Sequence, residues 1–89
     1  MYHIKNTRYV PGDLAVRARE YLKTLPRGWL TVTQRCRAFT SSIGSLGDTP
    51  DARELGPTIA QILEWEYGFD EAEYYEASNS ISVCSRADD

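Results

Sequence analysis

Hydrophobic residues recur at helical spacing near the start of the chain. Asp13 is a suitable N-cap, and Pro26 disfavours helical geometry at Leu25, the residue before it. The pattern therefore predicts a first helix within DLAVRAREYLKTLP, with an apolar face formed by Leu14, Ala18, Tyr21, Leu22 and Leu25.

A short strand and a second helix are predicted next. RGWLTVT has high β-propensity but is long enough only for a short strand. Thr33 then provides an N-cap, and Cys36, Phe39 and Ile43 follow at i, i+3 and i+7. We expect this second helix to end at Gly44.

The segment from Thr49 to Gly68 carries strong helix signals. Thr49 is a good N-cap, with Pro50 at the first helical position and Asp51 in the first turn. Gly56 and Pro57 are expected to interrupt this helix, and Pro57 to begin a new one. The apolar face of that third main helix is Ile59, Ile62, Leu63 and Tyr67, and Gly68 suits the left-handed position after it.

The last segment alternates as a hairpin does. Ala72 and Tyr74 share one strand face, Ile81 and Val83 share a face of the next strand, and ASNS supplies the turn. We predict an N-terminal strand or arm over residues 1–11, one domain over 12–86 and a frayed tail over 87–89. The expected core is Trp29, Val32, Phe39, Ile43, Ile59, Ile62 and Leu63.

The order helix, short strand, helix, helix, hairpin resembles the winged helix-turn-helix family over roughly residues 12–86. The likeness is carried by LPRGWLTVTQ, by PTIAQILEWEYGF as the third helix, and by DEAEYYEASNSISV as the wing. The resemblance implies an α+β fold: a small winged-helix-like domain with three main helices, a short strand and a C-terminal β-hairpin.

The same resemblance implies how DNA would be contacted. In that family the third helix enters the major groove and the wing touches the backbone. Gln61 would then read adenine, Thr58 would meet a phosphate or a thymine methyl, and Arg53 would lie on the approach.

Charge is distributed unevenly along the chain. Residues 1–40 hold eight Lys or Arg against two acids, a balance of +6, whereas residues 41–89 hold two against eleven, a balance of −9. One interpretation is a polyanion partner for the basic half and a cationic partner for the acidic half. The other is that the charges pair within the fold or solvate it. The expected basic surface is Arg17, Arg19, Lys23, Arg27, Arg35 and Arg37.

The acidic segment DEAEYYEA does not suit a phosphate contact. A period of two, with Ala72 and Tyr74 facing the core, leaves Glu71, Glu73 and Tyr75 facing outward. Tyrosine is enriched in protein interfaces, and carboxylates complement basic patches. These residues therefore favour a protein-binding surface that meets a basic partner.

No catalytic or metal site is predicted. The only histidine, His3, lies in a terminal segment, so we expect no Ser–His–Asp set. No CxxC or HxxxH spacing is present to hold zinc, and SSIGSLGD lacks the lysine of a phosphate-binding loop. We expect no enzyme activity and no cofactor. Cys36 and Cys84 fit buried thiols better than a disulfide, because cytosolic disulfides are rare.

Localisation and partners follow from these patterns. No apolar run reaches the length of a membrane span and no signal peptide opens the chain, so we expect a cytoplasmic protein without a membrane partner. The favoured function is a small winged-helix-like DNA-binding protein, a transcriptional or replication regulator of a mobile element. The alternative is an acidic protein-binding module, such as a phage-type inhibitor or DNA mimic acting on a host nuclease or nucleic-acid-binding complex. Duplex DNA, a basic protein surface and a second copy in a homodimer are the expected partners.

Overall fold

The described part of the chain, residues 8–86 of a computed structural model, contains two helices and one four-stranded sheet. The elements in chain order are α1 (Asp13–Thr24), β1 (Thr31–Arg35), β2 (Phe39–Ser45), α2 (Pro50–Trp65), β3 (Glu71–Tyr75) and β4 (Ser80–Arg86). All neighbouring strands are antiparallel, and their spatial order is β1-β2-β4-β3. The class is α+β, as expected.

The elements form three layers in which only α2 packs on the sheet. Within residues 8–86, α2 contacts β3 and β4, α1 contacts α2, and neither helix packs on β1 or β2. Ala15, Ala18 and Ala52 are buried, and their small side chains let the two helices approach closely. The largest fully buried side chains are Leu46, Ile59, Ile62, Leu63, Ile81 and Val83.

The predicted second helix is wrong, and the winged-helix architecture is wrong with it. The segment from Thr33 to Gly44 forms the end of β1, a turn and β2, which pairs with β4 along its whole length. Ser and Thr compete with the backbone for hydrogen bonds and lower helix propensity. Phe39 and Ile43 share a face in either structure, because a spacing of four fits both periodicities. The domain therefore has two helices and four strands rather than three helices and a wing.

The expected break at Gly56 and Pro57 is also wrong, because α2 is one continuous helix from Pro50 to Trp65. Proline in a helix interior removes one hydrogen bond and disfavours the helix by about 3 kcal/mol. The buried apolar face formed by Leu55, Ile59, Ile62 and Leu63 spans the break and is buried only if the helix continues. The predicted cap is present, since the Thr49 hydroxyl accepts from the Ala52 amide at 3.1 Å.

The other predicted elements are present with adjusted details. α1 begins at Asp13 itself, and Gly12 occupies the N-cap without a side-chain cap. Leu14 is exposed, because the buried face of α1 is formed by Ala15 and Ala18. The C-terminal hairpin has the predicted alternation, with Ile81 and Val83 buried.

The expected core is correct only for its residues on α2. Ile59, Ile62 and Leu63 are buried, whereas Trp29 and Phe39 are half-buried. Val32 and Ile43 retain 49% and 38% exposure, because the helices do not cover β1 and most of β2. Both cysteines are free thiols and only half-buried. The predicted arm over 1–11 and tail over 87–89 lie largely outside the described residues, and residues 8–11 are neither helix nor strand.

A partly buried ion pair ties the N-terminal segment to both helices. The Arg19 guanidinium on α1 contacts the Glu66 carboxylate, just after α2, at 2.7 Å. Glu66 also accepts the Val10 amide at 2.9 Å, and Arg19 donates to the Val10 carbonyl. The hydrogen bonds from Arg19 lower the pKa of Glu66 and the Val10 amide adds to this, while burial acts in the opposite direction.

We predict that Gly56→Ala destabilises the protein, although alanine normally favours helices. Gly56 is buried in α2, and a Cβ there would overlap the Tyr74 ring on β3. Overpacking costs about 1–3 kcal/mol, which outweighs the roughly 1 kcal/mol gained in helix propensity. Thermal unfolding should give a lower midpoint for Gly56→Ala, and Gln61→Ala at an exposed position of α2 serves as the control. A higher midpoint for Gly56→Ala would contradict this packing.

We predict that the cost of Glu66→Gln depends on pH. A carboxylate whose folded pKa is depressed stabilises the fold above its unfolded pKa of about 4.3, and that stabilisation is lost as pH falls through the folded value. Chemical unfolding should therefore show Glu66→Gln clearly less stable than wild type at pH 7. The difference should shrink as pH falls below about 4.3 and vanish below the depressed pKa of Glu66 in the folded protein, where the carboxyl group is protonated. Glu20→Gln, in the exposed pair with Lys23, should show little effect at either pH. A constant difference across this range would mean that the ionised pair is not the cause.

Candidate binding surface

Within residues 8–86, one face of the sheet carries no helix, and the edge strand β3 gives it an acidic border. Glu71, Glu73 and Tyr75 alternate with Ala72 and Tyr74, and the first three are exposed while the last two are half-buried. The register places Ala72 and Tyr74 beside the buried Val83 and Ile81, on the face that α2 covers. Glu71, Glu73 and Tyr75 therefore share the open face, as the alternation predicts. We call these three residues the acidic edge.

Neighbouring contacts hold the acidic edge in place. The Tyr75 hydroxyl donates to the Glu73 carboxylate at 3.1 Å, and this hydrogen bond raises the pKa of Tyr75. Glu64 on α2 accepts the Ala72 amide at 3.2 Å. An edge strand presents unpaired amides to solvent, and a side-chain acceptor there limits pairing with other chains. Glu64 thus occupies the amide of Ala72, which disfavours strand addition at this position.

The turn that ends β3 is tied to the body of the protein by one residue that sequence reasoning passed over. Asn79 is buried and has a positive φ of 50°. Its side chain accepts from the Tyr74 hydroxyl at 2.8 Å and donates to the Gly47 carbonyl. ASNS indicated a turn, but nothing in the sequence pointed to this bridge between the turn and the loop before α2.

The residues assigned to DNA reading lie on α2 in acidic surroundings. Gln61 is exposed and lines a groove between α2 and β3 together with Glu64, whose carboxylate lies in this groove. Thr58 is half-buried, and the Arg53 guanidinium donates to the Glu76 carbonyl at 3.0 Å. Carboxylates repel the phosphates that supply most of the affinity for DNA. This face of α2 is therefore poorly suited to the major groove.

Most of the predicted basic surface on α1 is neutralised within the fold. Arg17 contacts Glu54 on α2 at 2.9 Å, which lowers the pKa of that carboxyl group, and it also lies 3.6 Å from Asp51. Arg19 is held by Glu66, and Lys23 pairs with Glu20 at 3.3 Å. The interpretation that charges pair within the fold is thus correct for α1.

The remaining predicted cations lie apart from α1. Arg27 is exposed in the loop before β1, Arg35 ends β1, and Arg37 lies in the β1–β2 turn. The structure therefore does not bring the nine proposed nucleic-acid-binding residues together. Arg35 and Arg37 are two residues apart at the exposed end of the β1–β2 hairpin.

A shallow depression at one end of the open face contains residues that the sequence did not single out. Its volume is about 430 Å³, and it is lined by Ala38, Phe39, Asp70, Glu71, Cys84 and Arg86. The Arg86 amide donates to the Asp70 carboxylate, which closes the end of the β3–β4 hairpin. Only knowledge of the strand register would have placed Phe39 beside β4, since the segment was predicted to be helical.

The arrangement offers little to acid–base or metal chemistry. The carboxyl groups with lowered pKa, Glu54 and Glu66, are each bound by an arginine and so are poor proton acceptors. Within the described residues, no group of three His, Cys, Asp or Glu side chains lies close enough to hold a metal ion. Neither described helix is long and apolar enough to span a membrane.

Comparison with known proteins adds no assignment. No protein-family model matches the chain, and no curated protein or solved structure does either.

Proposed function

We propose that the protein is a non-catalytic binding domain whose acidic edge contacts a basic surface on a partner protein. The observation that carries the proposal is the alignment of Glu71, Glu73 and Tyr75 on one exposed face of β3. Nucleic-acid-binding proteins, nucleases among them, present such basic surfaces. An inhibitor that occupies one of them is the form of this function that we favour.

The acidic edge differs from the other acidic residues in what it contacts. Glu54 and Glu66 are occupied by arginines of α1. Among residues 8–86, no Lys or Arg lies within ion-pair distance of Glu71 or Glu73. Unpaired carboxylates on adjacent outward positions repel each other and are stabilised by a cationic partner. Their charge is thus available for an intermolecular contact.

Tyr75 gives this surface an anchor as well as charge. Its side chain is 43% exposed, and its hydroxyl is oriented by Glu73. Tyrosine contributes a large, rigid contact area, and such residues often dominate the binding energy of an interface. The carboxylates would steer the approach, and Tyr75 would slow dissociation.

A DNA-reading role for the helices has less support. Three of its expected cations on α1 are paired within the fold, and Gln61 shares a groove with the Glu64 carboxylate. The role of a transcriptional or replication regulator therefore stays a prediction for which α1 and α2 provide little surface.

We predict that Glu71→Lys with Glu73→Lys abolishes capture of the partner. Affinity purification from the source cell or its host should recover one or more proteins with wild type and lose them with the double reversal. With the recovered partner purified, surface plasmon resonance should show that the double reversal mainly lowers the association rate. The wild-type rate should fall as salt rises, because the Debye length shortens from about 10 Å at 0.1 M to about 3 Å at 1 M.

The matched control for this experiment is Glu20→Lys with Asp48→Lys. These residues are exposed, the change in net charge is the same, and neither lies on the sheet. The control should recover the same proteins as wild type. Equal recovery by all three proteins would show that the acidic edge is only a solubilising surface.

We predict that Tyr75→Ala raises the dissociation rate of the same partner. Loss of a central aromatic anchor costs about 2 kcal/mol, equivalent to a roughly 30-fold faster dissociation, with the association rate nearly unchanged. Tyr67→Ala is the matched control, because Tyr67 is 62% exposed just after α2 and lies off the sheet. Equal dissociation rates for the two variants would remove Tyr75 from the interface.

A further inference from the structure

The hairpin formed by β1, β2 and their turn is not explained by the acidic edge. Within the described residues the helices do not pack on β1 or β2, and every residue of β1 is exposed. A two-stranded hairpin is marginally stable in water without further contacts. Pairing with β4 holds β2, which leaves β1 and the turn as the most exposed part of the sheet. We call residues 31–45 the basic hairpin.

The charge of the basic hairpin has a single sign. The sequence has no Asp or Glu from Tyr21 to Gly47, and Arg35 and Arg37 lie at the hairpin tip. Among residues 8–86, neither arginine has a carboxylate within ion-pair distance. This distinguishes them from Arg17 and Arg19, which are held by α2 and the residue after it.

The other side chains of the basic hairpin are rich in hydrogen-bonding groups. Hydroxyl and amide groups of this kind, together with arginine, make most protein contacts to the DNA backbone. They belong to Thr31, Thr33, Gln34, Thr40, Ser41 and Ser42.

The side chains of the basic hairpin suit duplex DNA better than a lipid surface. Its arginines and hydroxyl groups are of the kinds that contact DNA phosphates. Interfacial membrane binding needs large apolar side chains that insert between lipids. The tip residues from Arg35 to Ala38 include none, Phe39 beside the tip is half-buried, and the exposed Val32 and Ile43 lie away from the tip.

We propose that the basic hairpin contacts the phosphate backbone of duplex DNA through Arg35 and Arg37, without regard to sequence. This site goes beyond the proposed protein-binding function and uses none of its residues. Arg86 lies at the neighbouring end of β4, but the Asp70 carboxylate, which accepts the Arg86 amide, brings a negative charge to that end of the sheet. Two phosphate contacts are therefore expected.

The test is fluorescence anisotropy with a labelled random-sequence duplex, titrated with the full chain at several KCl concentrations. Two phosphate contacts give a slope of about −1.8 in a plot of log K against log salt, or roughly 12-fold weaker binding at 200 mM than at 50 mM salt. Arg35→Gln with Arg37→Gln should bring this slope close to zero. Arg35→Lys with Arg37→Lys keeps both charges and should retain most of it.

The matched control is Arg17→Gln with Lys23→Gln, which removes the same net charge from α1. Its slope should equal that of wild type. Equal flattening by both Gln pairs would assign the effect to net charge and overturn the site. Absence of wild-type binding at about 10⁻⁴ M protein and low salt, the weak end of non-specific affinity, would also overturn it.

Two further measurements complete the test. Circular dichroism and thermal unfolding should show that each variant keeps the wild-type fold. If the Gln pair does not keep the fold, the result is decided by the salt slope of the Lys pair. Sedimentation with phosphatidylserine vesicles should show no dependence on Arg35 and Arg37. Vesicle binding lost with the Gln pair, without duplex binding, would assign the hairpin to anionic membranes and reject the DNA site. Failure of this proposal leaves the capture experiment with Glu71 and Glu73 unaffected, because the two sets of residues do not overlap.

Discussion

The fold depends on the burial of one helix face against two strands. Leu55, Ile59, Ile62 and Leu63 of α2 pack in the same core as Ile81 and Val83 of β4. A helix with its side chains is about 10 Å across, whereas four strands at 4.8 Å spacing extend about 14 Å between the outer strand axes. Because α1 stacks on α2 instead of lying beside it, one helix width has to cover the whole sheet. Coverage by α2 therefore ends near β4, and within residues 8–86 neither helix packs on β1 or β2.

That constraint determines which charges are available for binding. Stacking α1 on α2 brings Arg17 and Arg19 to carboxylates on and just after α2, so the charges of the two helices are largely used within the fold. Within residues 8–86 the strands have no helix partner on their open face. The charges of Glu71 and Glu73 on β3, and of Arg35 and Arg37 at the hairpin tip, are therefore not neutralised by ion pairs within the fold. Both proposed surfaces therefore lie on the sheet rather than on the helices.

The sequence predicted those elements correctly whose residue pattern fits only one secondary structure. The C-terminal hairpin was predictable, because Ala72, Tyr74, Ile81 and Val83 alternate with polar residues and a helix cannot bury such a set. The prediction of a second helix was wrong because Phe39 and Ile43, four residues apart, satisfy both helical and strand periodicity. Local sequence rules also predicted a break in α2 at Pro57. The helix continues there because the tertiary packing of its apolar face outweighs the proline penalty.

The candidate surfaces were predictable to a different degree. The outward set Glu71, Glu73 and Tyr75 followed from the period of two, whereas its binding role stays a prediction. The basic set could not be placed, because sequence shows how many cations a segment has but not which acids they meet after folding. Arg17 and Glu54 are 37 positions apart, and only the helix packing brings them together.

Because the two surfaces are separated, the net charge of −3 does not determine which charged partner each surface attracts. β1 and β3 are the opposite edges of one sheet, about 14 Å apart between strand axes. At physiological ionic strength the Debye length is about 8 Å, so each edge is screened from most of the other's field. A charged partner approaching β3 meets carboxylates, and one approaching the hairpin tip meets arginines. An acidic protein can thus present a locally cationic element, because its two kinds of charge are held at opposite edges of the same rigid sheet.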